Sequence, residues 1–333
     1  MDWSKGYTSL CYIRTVDRNS WQDLQRIDIT EGKVSRGTSE LRESASFTCV
    51  DYDQTSEQWV RVWLDTEQEG DVSHTAIFTG LATSPNRDIN GQLSTNEVEC
   101  YSVLKPAQDI ILQRGWYAPA GAYGAQLVAQ LLSVTPAPKE IEGESPLLST
   151  SYVAEDGETN LSMARKIIEA INWRLRITGD GVIHICPKAT AAGYTFNADE
   201  FDVIEPKLST SFDWYACPNV FRAVKGNLSA LAIDSDPDSI FSTVRRHREI
   251  WKEETNCKLN STESLQEYAN RRLKEEQAVT YAVSYDRRFH PDVYVGDMVN
   301  LHYPAQGIEG AFTIKSQNIE LRFGRTAEKG ERK

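Results

Sequence analysis

The chain has 333 residues, of which 40% are hydrophobic and 25% charged, with 8 Trp, 14 Tyr, 10 Phe and a formal net charge of −12. That composition supplies enough apolar surface for packed cores and excludes a disordered chain, and the length suits two or three domains. The acidity excludes a protein that grips nucleic acid, because such affinity comes from neutralising phosphates with Lys and Arg.

Residues 7–106 read as β. The opening Met1-Asp2-Trp3-Ser4-Lys5-Gly6 has no apolar core of a secretory signal, so synthesis and retention in a cytoplasm are expected. Ala45, Phe47 and Cys49 alternate with Ser46 and Thr48, and Val60, Val62 and Leu64 alternate with Arg61 and Trp63. Period-two patterning predicts strands with one buried face. Turn residues at Glu31-Gly32, Glu69-Gly70-Asp71, Ser84-Pro85-Asn86 and Asn90-Gly91 separate them, and Asn96–Leu104 closes the set. Short strands at this spacing predict a small barrel or sandwich. Trp59 and Trp63 lie on the face opposite Val60, Val62 and Leu64. A strand with large apolar groups on both faces is buried on both sides or sits at an interface, which makes Trp59 and Trp63 candidate interface residues.

At Lys105-Pro106 the character changes, and residues 107–205 read as a small α+β module. Gly124–Leu132 is a helix candidate with Leu127, Val128, Leu131 and Leu132 as its stripe. Leu161, Ala164, Ile167, Ile168 and Ile171 define one face of a second helix, capped by Thr159 or Asn160. Residues 173–177 and 182–186 flank Gly179-Asp180-Gly181, which predicts a hairpin. Residues 206–333 return to β. Asn219–Lys225 and Ala230–Ile233 can pair across Gly226-Asn227, a helix over 264–277 starts with the capping box Ser264-Leu265-Gln266-Glu267, and strands follow around 279–285, 299–303 and 311–321. Val60-Arg61-Val62-Trp63-Leu64 and Val299-Asn300-Leu301-His302-Tyr303 share a pattern that suggests duplication of the two β regions. Charge is uneven: residues 1–106 hold ten Lys/Arg against seventeen Asp/Glu, residues 107–205 seven against thirteen, and residues 206–333 nineteen against eighteen.

Chemistry-bearing patterns are sparse. No phosphate-binding glycine loop, nucleophile elbow or His-Glu-x-x-His motif occurs, so no catalytic residue, metal or cofactor is assigned. Six cysteines, at least 31 residues apart, carry no Cys-x-x-Cys and are expected to be reduced, with Cys49 and Cys186 in cores. Asp234-Ser235-Asp236-Pro237-Asp238 lacks the glycine and glutamate of a calcium loop and reads as a solvated turn. The pairs Asp51/Asp53 and Glu97/Glu99 share strand faces, the ordinary placement of surface charge. Arg245, Arg246 and Arg248 form a basic cluster around His247; contact with an acidic neighbour competes with a plain solvated strand face. No apolar run approaches 18 residues, so no membrane insertion is expected.

The order of three stretches is more specific than any one of them. Ser264–Gln277, then residues 291–299 (Pro-Asp-Val-Tyr-Val-Gly-Asp-Met-Val), then residues 310–316 (Gly-Ala-Phe-Thr-Ile-Lys-Ser) resemble the C-terminal part of the central hub proteins of phage and prophage tail baseplates, including contractile tails, phage-like bacteriocins and related tail-tip proteins. Residues 115–121 and 151–161 resemble the middle of the same family, as does the β, α+β, β order. The resemblance implies a mainly β chain with two tube-like β-barrel domains, 1–106 and 206–333, the second carrying an inserted helix at 264–277, around the α+β module 107–205. It further implies a homotrimer, a ring of six barrels joining a tail tube protein to a spike protein within the baseplate of a virion or phage-like particle made in a bacterial cytoplasm. DNA passes such a lumen without stable binding. Some hubs carry fused lysozyme or peptidase domains; this length leaves no room for one, so a structural protein and not an enzyme is expected. A carbohydrate-binding receptor-recognition tail protein is the alternative reading.

Overall fold

The computed structural model describes residues 6–50, 54, 56–83, 86–90, 93–197, 205–211, 215, 217–255, 257, 259, 263–277, 281–321 and 325–332. The chain forms two compact units, one of residues 1–208 with 284–330 and one of residues 209–283 with 331–333. Both are mainly β.

The first unit begins with β1 (Thr8–Val16), β2 (Asp23–Arg36), β3 (Glu43–Val50), β4 (Gln58–Gln68), β5 (Asp71–Ala82), β6 (Asn86–Asn90) and β7 (Leu93–Ser102). Their order is β1-β4-β5-β7-β3-β2, and β2 pairs back onto β1, so the hydrogen-bonded path closes on itself. The period-two reading holds for the inward face, while β4 also buries Trp59 and Arg61 on its other face. Ile13, Val34, Phe47, Cys49, Val60, Val62, Leu64, Phe78 and Val98 form the enclosed core, while Thr95, Glu97 and Glu99 on β7 face outward. Such a closed ring leaves no free sheet edge for aggregation.

The α+β module follows as α1 (Lys105–Asp109), β8 (Tyr117–Ala118), α2 (Gly124–Leu131), β9 (Lys139–Ile141), β10 (Tyr152–Val153), α3 (Asn160–Ala170), β11 (Trp173–Ile177) and β12 (Ile183–Pro187). Helix α3 begins at a reciprocal cap. Thr159 Oγ1 accepts from the Ser162 N–H at 3.1 Å, and Ser162 Oγ accepts from the Thr159 N–H at 3.0 Å. Two donors that the helix itself cannot satisfy are thereby paired. The stripe Leu161, Ala164, Ile167 and Ile168 is fully buried, against α2, α1 and β11. Strands β11 and β12 form the antiparallel hairpin, and β9 adds in parallel to β12.

After β13 (Ala192–Asn197) and β14 (Glu205–Ser211) comes the second unit, with β15 (Val220–Lys225), β16 (Leu228–Ile233), α4 (Thr243–Arg246), β17 (Trp251–Thr255) and α5 (Leu265–Gln277). Its sheet runs β16-β15-β17. One face packs Phe221, Ala223 and Ala232 on Tyr268, Ala269 and Leu273 of α5. Helix α5 starts at the expected capping box: Ser264 N–H donates to Glu267 Oε2 at 2.8 Å, and Glu267 N–H donates to Ser264 Oγ at 3.2 Å.

The chain then continues through β18 (Tyr281–Arg288), β19 (Met298–Tyr303), β20 (Ile308–Glu320) and β21 (Arg325–Arg332). The expected start of this strand run, Val279 and Thr280, lies outside the described residues. The strand path is β13-β19-β20-β21-β18-β14, and β2 joins it to the first ring through β20, with Val34 opposite Ile319. Numbered within each set, and leaving aside β6, which pairs only with β7, both paths follow one order: first strand, fourth, fifth, sixth, third, second. Strands β4 and β19 are the fourth of their sets. The sets differ at the ends of their paths: β1 is antiparallel to β4 while β13 is parallel to β19, and β2 pairs back onto β1 whereas β14 ends its path.

The interior of this second set contains a buried ion pair. Arg287 Nη2 on β18 lies 2.5 Å from Glu328 Oε1 on β21, with side chains 1% and 0% exposed. Gln317 donates to the same carboxylate oxygen at 2.6 Å and to the Val293 carbonyl at 2.9 Å.

Candidate assembly surfaces

The outward face of β4 carries Trp59, Arg61 and Trp63, and the module's hairpin turn rests on it. Arg61 is 6% exposed. Its Nη1 donates to Asp23 Oδ1 at 2.5 Å, its Nε to Thr79 Oγ1 at 3.0 Å and its Nη2 to the Asp180 carbonyl at 2.9 Å. Thr79 donates onward to the Gly179 carbonyl at 2.7 Å, and the Trp21 indole donates to Asp180 at 3.0 Å. The turn approaches so closely that a Cβ on Gly179 would stand 1.8 Å from the Ala76 carbonyl oxygen, and Gly181 takes φ +83° with a would-be Cβ 2.8 Å from Thr79. Only glycine meets both demands.

This contact settles where the tryptophan face goes. Trp59 is 6% exposed and belongs to the core that contains Val16, Val103, Leu104 and the α2–α3 stripe, with its ring 5.4 Å from that of Trp21. Trp63 is half-buried, and its indole donates to Asp23 Oδ2 at 2.7 Å. Of the two ways to accommodate apolar groups on both faces of β4, burial within the chain accounts for Trp59, and Trp63 keeps a partly open edge.

Arg245, Arg246 and Arg248 lie in the second unit. Arg245 and Arg246 sit on α4, a single turn capped by Ser242, whose Oγ accepts from the Arg245 N–H at 3.3 Å; the segment is helical where a strand face was expected, because the Ser242 side chain supplies the cap that starts a turn. Arg246 donates to the Cys217 carbonyl and Arg248 to the Tyr215 carbonyl, each at 2.9 Å, and Arg245 and Arg248 are exposed. On the sheet of this unit, Leu231, Ile233 and Trp251 remain 38%, 50% and 53% exposed. They alternate with the residues that pack on α5, so the opposite face offers apolar surface. In the first unit, a surface hollow of about 350 Å³ across β2, β3 and β7 is edged by Glu31, Glu97 and Glu320 against one Lys33.

The groups weighed for chemistry are dispersed. Glu97 and Glu99 are both exposed on β7, and Asp51 and Asp53 lie outside the described residues. The His184 ring stands 2.6 Å from Glu142 at the module surface. Asp234 and Asp236 accept backbone N–H groups of Asp236 and Asp238 at 3.1 and 2.9 Å, which is turn chemistry. All six cysteines are free thiols, and Cys49 and Cys186 are buried in strands. Burial pushes the Cys49 thiol up to about 11, so it stays protonated and unreactive. Among the described residues no group of three or more His, Cys, Asp or Glu gathers to hold a metal ion, and no helix is long and apolar enough to cross a membrane.

The Arg61 cluster escaped the sequence reading, because an arginine alternating with valines looks like ordinary outward charge. The one signal that pointed to it was the Gly-Asp-Gly turn, which sequence assigns to a hairpin without naming its dock.

No family model matches the sequence, and no curated protein matches it. Solved structures do. The chain is similar to the tail protein from Neisseria meningitidis MC58, with TM-score 0.71 and 13% identity over 98% of this chain and 97% of that one. It is similar to the 43 kDa tail protein of prophage MuSo2 from Shewanella oneidensis, with TM-score 0.68 and 13% identity over 98% of both chains. It is also similar to prophage tail protein gp18 from Listeria monocytogenes, with TM-score 0.56 and 12% identity over 97% of this chain and 94% of that one. The chain has the fold of phage and prophage tail proteins.

Proposed function

We propose that the chain is a structural hub subunit of a phage-type tail baseplate, forming a trimeric ring that joins the tail tube to the spike. The observation that carries this reading is end-to-end similarity to two tail proteins, with nearly all of each chain matched. The repeated strand order supports two tube-like barrel domains per chain, one built from β1–β7 and one from β13, β14 and β18–β21, with β4 and β19 as equivalent strands. Three such chains present six quasi-equivalent barrels, which reconciles a six-fold tube with a three-fold spike. The role is architectural, and any wall-cutting activity belongs to partners.

Subunit contacts fall near Trp63, with Trp59 behind it, near Arg245, Arg246 and Arg248, and near the exposed Ile233 and Trp251. DNA or a tube of similar bore extends through the ring. A duplex bears about one charge per 1.7 Å, and an acidic wall repels it over about 8–10 Å at physiological salt. Residues 7–106 supply that acidity, and the three arginines face away from the axis. Light scattering on the purified full chain over a concentration series tests the assembly: a three-chain mass supports the reading, and a monomer at every concentration, with and without a co-expressed spike, refutes it.

A further inference from the structure

Within the first unit, Arg36 at the end of β2, Arg42 in the following turn and Arg176 on β11 line a cavity of about 20 Å³, together with Glu43 and Tyr294. Room of that size holds one small particle. Arg36 is 5% exposed, and its Nη groups reach the Ile77 carbonyl and, at 3.4 Å, Gln317 Oε1. Its Nε has no hydrogen-bond partner, and neither does the Nε of Arg42 or of Arg176. Buried guanidinium donors are rarely left unmet, and three beside one void call for a single shared acceptor.

Two further observations point the same way. Arg42 holds φ +67°, a left-handed conformation that non-glycine residues adopt at a cost and that clusters at ligand clamps. The Arg36 and Arg176 guanidiniums lie 4.4 and 4.6 Å from the Tyr294 ring centroid, so the ring fixes both cations where they stand.

We propose that this cavity binds one halide ion, chloride in ordinary buffers, held by Arg36, Arg42 and Arg176 and pinning the β2–β3 turn to β11. A halide only accepts hydrogen bonds, which matches three unmet donors. A water brings two hydrogens of its own, and the lining side chains that could take them are the Tyr294 hydroxyl and Glu43, whose Oε1 also has no partner. The charge balance also favours an anion. Arg174 is matched by Asp297 at 2.8 Å. Arg165 and Glu169 flank Arg42 with opposite signs. Glu43, 3.7 Å from Arg36, is the one carboxylate on the cavity. Burial pushes its carboxyl up to about 8, against the pull of Arg36, so at neutral pH it is protonated and donates instead of repelling an anion.

The test uses the full chain in chloride and in gluconate at equal ionic strength. Chloride at about 150 mM is expected to raise Tm by about 2–4 °C over gluconate, and Arg176→Gln is expected to lose that increment. Equal Tm in both salts, or an increment that Arg176→Gln keeps, overturns the proposal. Crystals of the unsubstituted chain soaked in bromide give a check that does not depend on the variant's folding. An anomalous peak among the three arginines supports the site, and density there without anomalous signal, a water, overturns it.

Discussion

Removing one partner of the Arg287–Glu328 pair should cost far more than removing both. The two side chains are 1% and 0% exposed and 2.5 Å apart, so neither charge reaches water when the other is gone. A buried pair broken on one side typically loses about 3–5 kcal/mol, mostly through the charge left behind. Glu328→Gln keeps the shape and strands Arg287; Arg287→Met strands Glu328, which Gln317 still serves at 2.6 Å. Each single variant is therefore expected to lose about 3–5 kcal/mol. The double variant Arg287→Met with Glu328→Leu leaves no lone charge. Its main loss is the one Gln317 N–H that no longer meets Glu328, about 1–3 kcal/mol, while the amide still donates to the Val293 carbonyl. Urea unfolding followed by tryptophan fluorescence at pH 7 measures all four chains. The expected coupling is several kcal/mol of non-additivity. Strictly additive losses, or a Glu328→Gln loss under about 1 kcal/mol, would show that the pair is solvated and that this interior is not sealed.

Three other outcomes follow from the same geometry. Gly179→Ala places a methyl group 1.8 Å from the Ala76 carbonyl, so it should lower Tm by more than Gly181→Ala lowers an isolated hairpin's stability, and differential scanning calorimetry reads it; an unchanged Tm would mean the turn does not rest on β5. Glu43 has its folded-state pKa raised by burial from 4.5 to about 8. The folded state therefore binds the extra proton, and this contribution to stability is full below pH about 4.5 and is lost as pH rises to about 8. Glu43→Gln should flatten that decline in urea titrations across the window. Thr159→Ala removes one half of the α3 cap and should cost about 1 kcal/mol, with circular dichroism in urea as the readout.

Local structure was legible wherever one residue type had one physical reason to be present. The i, i+3, i+7 stripe of Leu161, Ala164 and Ile168 could only face a core, and it does. The Gly-Asp-Gly turn and the Ser264 capping box specify their own backbone geometry, and both formed as read. Pairing partners were not legible. Alternation tells which face of β19 is buried, yet nothing local says that it runs parallel to β13, a hundred residues earlier. The compact unit at 209–283 was hidden for the same reason, since strands inside one unit alternate like strands between units. Trp59 and Trp63 announced a two-sided strand without saying whose surface covers it; the core around Trp59 comes from α2 and α3 of the same chain, and Trp63 keeps a partly open edge. Arg36, Arg42 and Arg176 share no sequence spacing, and only the fold brings them to one cavity.

Electron cryo-microscopy of the purified full chain tests the central claim most directly. Three-fold particles are expected, in which the inner wall shows six similar strand rings, two from each chain, with net negative side chains facing the bore. Particles without three-fold symmetry, or three-fold particles in which β4 and β19 occupy non-equivalent places in the wall, would contradict that claim.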